Sequence, residues 1–218
     1  MKLIPIACAV ALGLSFGAAT PLFAADSPAA APATAATAAP AAPKLHAALR
    51  ELWQGHIQHT RAYAIAVKAG DAQVAKKAAD DVVSNAKSIA NAVGGFYGAP
   101  AGKHMLTLLA GHWGGVKAMT DAEHAGDSAG VNQAMNDLTA NVDAIAKFLS
   151  DANPNLPDAT LRGLLMGHVA HHSAQIREIM SGDMQGEATT WNAMQAHMNT
   201  LADALADGIA KQFPAKAT

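Results

Sequence analysis

Three histidines occupy the same place in a five-residue phrase, Leu-x-x-Gly-His. The phrase reads Leu52-Trp53-Gln54-Gly55-His56, Leu108-Leu109-Ala110-Gly111-His112 and Leu164-Leu165-Met166-Gly167-His168, each copy 56 residues after the last. Neutral imidazole is a ligand for Zn, Cu, Ni and Fe, so a repeated histidine is the beginning of a transition-metal donor set. His56 and His168 also start His-x-x-His pairs with His59 and His171. On a helix, i,i+3 neighbours can turn toward one point and chelate.

Other chemistries find less material. Cys8 is the only cysteine and stands in the leading apolar run, so a fold built from the later residues has no thiolate ligand or nucleophile. Ser84, Ser88 and Ser173 have no base and acid at matching positions. Trp53, Trp113 and Trp191 read as core or groove fillers. The Glu-x-x-His pairing of ferritin-like di-iron bundles is absent from the periodic segments.

Helices must position these groups, because their apolar neighbours recur in steps of four and three. Leu45, Leu49, Leu52, His56, His59, Tyr63 and Val67 fall on one such face. The rhythm returns five more times, and Gly70-Asp71, Gly126-Asp127 and Gly182-Asp183 punctuate it at the same 56-residue spacing. Each turn joins a glycine able to end one helix to an aspartate able to cap the next. Longer breaks are expected at Gly94-Gly95-Phe96-Tyr97-Gly98-Ala99-Pro100 and Asn153-Pro154-Asn155-Leu156-Pro157. The fold expected is all-α, a bundle of six helices built from three antiparallel hairpins, with repeats at about 45–98, 100–154 and 157–213.

The turns also fix heights. His56 lies 14.5 residues before the centre of the first turn and Asn85 lies 14.5 after it, which places them level; the same arithmetic pairs His112 with Asn141 and His168 with His197. All six therefore form one layer, with an apolar floor of Leu52, Leu108, Leu164, Ile89, Ile145 and Leu201. One step toward the turns, His59, Gly115 and His171 face Val82, Leu138 and Met194. Buried without partners, each polar group of the layer would cost on the order of 1–3 kcal/mol.

The reading is a buried transition-metal site. His56, His112, His168 and His197 are the expected ligands, joined by His59 and His171, with Asn85 and Asn141 orienting the imidazoles and the Met194 thioether nearby. A layer without carboxylates disfavours Ca, Mg and Mn; richness in Met and His favours Cu over Zn or Ni. The third repeat alone sets His against His, so the ion is expected on that side of the three-fold axis. Two alternatives accompany this reading. One is a structural or partner-binding bundle whose His/Asn layer sets register. The other is a non-covalent haem or electron-transfer protein, with Gly55, Gly111 and Gly167 admitting a flat macrocycle. His46, His104 and His124 read as solvated, and His172 as pointing outward beside His171.

Lys2 followed by the apolar run Leu3 to Phe23 and small residues has the layout of a cleavable secretory signal over residues 1–24, cut after Ala24 or Ala25. A disordered Ala/Pro-rich linker is expected over 25–43, and a helical bundle over 44–218. The mature protein is then periplasmic or secreted, without a transmembrane anchor. Losing Lys2 leaves 14 basic against 17 acidic side chains, a net charge near −3, and no basic stripe suits nucleic acid.

The stretches Phe148-Leu149-Ser150-Asp151-Ala152-Asn153-Pro154-Asn155 and Gly208-Ile209-Ala210-Lys211-Gln212-Phe213-Pro214, with the Leu-x-x-x-His phrases, resemble an exported bacterial family of helical proteins of uncharacterised function. The resemblance spans most of Leu49 to Pro214 and implies the helical fold, but no chemistry. That family often carries an acidic residue before the repeated histidine, where this chain has Gly.

Overall fold

The computed structural model describes residues 42–217. The expected leader and nearly all of the expected linker lie outside that range. Six helices follow one another: α1 Pro43–Lys68, α2 Ala72–Tyr97, α3 Ala99–Ala125, α4 Ser128–Ala152, α5 Asp158–Ser181 and α6 Met184–Gln212. The bundle thus starts one residue inside the expected tether, with Pro43 in the first turn of α1, where a missing N–H costs nothing.

Within each hairpin the turn works as its residues dictate. Gly70, Gly126 and Gly182 take positive φ. Asp71 then accepts from the backbone N–H of Gln73 and Val74, Asp127 from Gly130 and Asp183 from Gly186. Each cap satisfies amide donors that the first turn of a helix leaves unpaired.

Each helix packs on the next, and α6 returns to α1, so the three hairpins close into a ring. α1, α3 and α5 also touch one another in the middle. This closure has a consequence for side-chain direction, because each inner helix must serve two neighbours. Trp53, His56 and Thr60 on α1 are buried, as are Leu109, His112 and Val116 on α3 and Leu165, His168 and His172 on α5. The parallel stripe one residue earlier, Leu52/Gly55/His59 and its repeats Leu108/Gly111/Gly115 and Leu164/Gly167/His171, faces the outer helix of the same hairpin. Asn85 bonds the Leu52 carbonyl, Leu138 packs on Gly115, and the His197 ring lies 5.3 Å from that of His171.

The break expected around Gly94-Gly95 is absent. α2 runs through both glycines, and Gly98 (φ 92°) alone separates it from α3. Gly94 instead permits a close crossing, while Gly95 has open space around its Cβ position. A Cβ on Gly102 would stand 2.8 Å from the Ala90 carbonyl oxygen and 3.0 Å from the Gly94 Cα. At the second inter-hairpin loop, buried Asn153 donates to the Tyr97 hydroxyl at 2.8 Å and accepts from the Asn155 N–H at 2.9 Å, while Leu156 plugs the space left by Gly208. No described helix is long and apolar enough to cross a membrane.

Two glycine substitutions separate close approach from mere helix propensity. Gly102→Ala forces backbone apart and is expected to cost about 1–3 kcal/mol. Gly114→Ala, with open space around its Cβ position inside α3, is expected to stabilise by about 0.5–1 kcal/mol. Urea unfolding of the two variants checks both signs.

Candidate metal centre

Where α1, α3 and α5 meet, His56, His112 and His168 come together with His172, and each offers a ligand atom within 4.8 Å of those of the other three. All four are buried. The first three form a nearly even triangle, with ring centroids 5.9, 5.5 and 5.5 Å apart. His172 comes from the next tier of the bundle and caps the triangle, its ring 4.3 Å from His168, 5.9 Å from His56 and 6.3 Å from His112. Three rings in one tier and a fourth from the next thus bring four ligand atoms into one small volume. The His168 and His172 Nε2 atoms already stand 3.1 Å apart, close to the about 3.3 Å edge of a tetrahedral nitrogen shell.

The layer's other polar side chains do different work. Asn85 Nδ2 donates to the Leu52 carbonyl at 2.9 Å, Asn141 Nδ2 to the Leu108 carbonyl at 2.9 Å, and His197 Nε2 to the Leu164 carbonyl at 2.7 Å. The acceptor is each time the residue four before the repeated histidine. This also accounts for the glycine of the phrase. A Cβ at Gly55 would meet the Asn85 amide at 3.0 Å, one at Gly111 the Asn141 amide at 3.1 Å, and one at Gly167 the His197 ring at 2.8 Å. Glycine lets the outer helix's polar side chain reach the inner helix's backbone.

In the second repeat this arrangement selects a tautomer. With its Nδ2 committed to Leu108, Asn141 presents Oδ1 to His112 Nδ1 at 3.2 Å, so Nδ1 carries the proton and Nε2 keeps a free lone pair. That Nε2 is buried without a partner, as are both ring nitrogens of His56, Nδ1 of His168 and Oδ1 of Asn85. Such a concentration is abnormal for a folded interior, where nearly all buried polar atoms are bonded.

Burial holds all four rings neutral. It pushes His56 down to about 3, with further lowering from His112 and His59, and His112 down to about 4 against a raising bond from Asn141. His168 and His172 lie well below the usual imidazole range, again through burial first and neighbouring histidines second. Neutral, lone-pair-bearing imidazole is the form that binds a metal.

The structure redistributes the roles read from the sequence. His56, His112 and His168 meet; His59 and His171 stand outside this group, half-buried on the stripe that faces the outer helices, and His197, half-buried on the outer helix α6, faces that stripe. His172, expected to point outward, is instead buried among the other three. Met194 is a fully buried core side chain. His46, expected in solvent, is buried with both ring nitrogens against carboxylates, Nδ1 at 2.9 Å from Asp203 and Nε2 at 3.1 Å from Asp207, so it ties α1 to α6. His104 and His124 are exposed. Among the described residues the one buried carboxylate, Glu187, is engaged by Arg61 at 2.6 and 2.8 Å and by Gln175 at 2.9 Å.

Comparison with protein-family models, with curated proteins and with solved structures yields no match.

The depressed imidazoles set a pH dependence. The unfolded chain takes up protons near pH 6.5, whereas the folded rings resist until about pH 4 and 3. Stability of the metal-free protein is therefore full above about pH 6.5 and lost as pH falls toward that lower range. Thermal melts between pH 7 and 4 are expected to show falling Tm, with a shallower slope in a His56→Leu/His112→Leu variant; equal slopes would contradict the assignment.

Proposed function

We propose that this chain is an exported protein that holds one transition-metal ion in the His56/His112/His168/His172 cluster, for sequestration, delivery or sensing rather than turnover. The observation that carries the reading is the meeting of four buried imidazoles between three helices, each offering a ligand atom within 4.8 Å of the others, with His56 and the His112 Nε2 left without a partner. One cation takes a lone pair from each of the four rings at once, where the single contact between His168 and His172 leaves His56 and the His112 Nε2 without a partner. Four protein ligands also fill a tetrahedral shell and leave no open position, which suits holding an ion better than activating a substrate on it. The Lys2-led apolar run supports export.

A structural role has its own support in the bonds from Asn85, Asn141 and His197 to Leu52, Leu108 and Leu164, which pin each hairpin's register. These residues serve register while the inner four serve the ion. Haem has less support, since rings 4.3–6.3 Å apart occupy one another's space and leave no slot of macrocycle width.

Protein purified without an affinity tag, stripped and reloaded, is expected to retain about one equivalent of metal by elemental analysis. A His56→Ala/His112→Ala/His168→Ala variant is expected to retain none. Absence of metal from both samples sinks the reading. If the wild type binds nothing and replacing the four histidines with Leu raises stability, the layer is structural alone. Export is checked separately by intact mass: the protein recovered outside the cytoplasm is expected to begin at Ala25 or Asp26, and recovery of the full chain inside would contradict it.

A further inference from the structure

The charge balance of the cluster narrows the ion. We infer that the four-histidine site is built for monovalent copper, Cu(I), over divalent ions; this rests on the reading that the cluster binds a metal at all.

The donor set is uncharged. Four neutral imidazoles supply it, and the influences on their protonation are burial, other histidines and the Asn141 amide, with no carboxylate among them. Within a turn of the ligands on their own helices the buried apolar neighbours include Trp53, Ile57, Leu109, Val116, Leu165 and Ile176, and buried Gln175, an uncharged amide, donates to Glu187; none carries a charge to offset the ion's. Glu187 is neutralised by its fork from Arg61. Thr60, the α1 counterpart of His172, turns its hydroxyl back to the His56 and Ile57 carbonyls of its own helix.

An ion entering this space therefore keeps its full charge in a low-dielectric interior. The desolvation cost grows with the square of that charge, so a divalent ion costs about four times what a monovalent one does. Sites for Zn(II) commonly reduce the burden with thiolate or carboxylate ligands; this one has neither. Imidazole is among the ligands that suit copper, and Cu(I) accepts two, three or four donors. That tolerance fits a site with one close pair at 3.1 Å and the other ligand atoms spread within 4.8 Å.

The test is a competition on the stripped full chain. Without oxygen and with a reductant present, Cu(I) is titrated against a chromophoric Cu(I) chelator, and Zn(II) against a chromophoric Zn(II) chelator. The expected result is one Cu(I) per chain, held at least about 100-fold more tightly than Zn(II). Equal or tighter binding of Zn(II) overturns the inference and leaves the metal site standing; binding of neither ion overturns the metal site itself. A His56→Asp variant then isolates the charge. One carboxylate in the layer is expected to shift the preference toward Zn(II) by at least about tenfold, and an unchanged ratio in a folded variant overturns the charge argument. Should that variant fail to fold, the wild-type ratio still decides.

Discussion

An imidazole nitrogen sealed from water must be bonded to something, and at the centre of this bundle several are bonded to nothing within the protein. That constraint organises the rest. Burying the rings neutral, at the junction of α1, α3 and α5, requires those helices to meet. Their meeting requires the outer helices to be held in register, which Asn85, Asn141 and His197 do by bonding inner-helix carbonyls. Glycine must precede each repeated histidine for those side chains to arrive. The phrase Leu-x-x-Gly-His is thus two devices in sequence, a docking point for the outer helix followed by a histidine for the central cluster.

The three repeats are not equivalent, and their differences bias the site. Only the second closes the bond between its histidine and its amide; in the first, His56 and Asn85 Oδ1 are both left without partners. The third replaces the amide with His197 and adds His172 where the first has Thr60 and the second Val116. The three-hairpin frame thus departs from symmetry at α5, which brings two histidines to the central cluster, His168 and His172, while His197 stays outside it.

Fold and hairpins were legible because turn chemistry is local. A glycine with positive φ followed by a capping aspartate, repeated at one interval, leaves little freedom, and the equal heights of His112 and Asn141 follow from it. The phase of the inner face was not legible to the same degree. A single stripe through Leu164, His168 and His171 assumes that a helix buries one seam, whereas α5 has buried neighbours on two sides. The run Leu161, Leu165, His168, His172, Gln175, Ile179 is equally periodic and is the one buried. Its two large aliphatics at Leu161 and Leu165, continued by Ile179, were the available signal for His172. Gly94 misled for a related reason: glycine ends a helix or lets another approach it, and only Gly102 on the facing helix separates the two outcomes.

X-ray absorption at the edge of the bound metal tests the central claim most directly, since it reports the ligands themselves. The expected spectrum has a first shell of nitrogen alone, at about 2.0 Å, with the outer-shell scattering of imidazole and no sulfur. A shell dominated by oxygen or containing a thioether would contradict the account, because it would place the metal somewhere other than between His56, His112, His168 and His172.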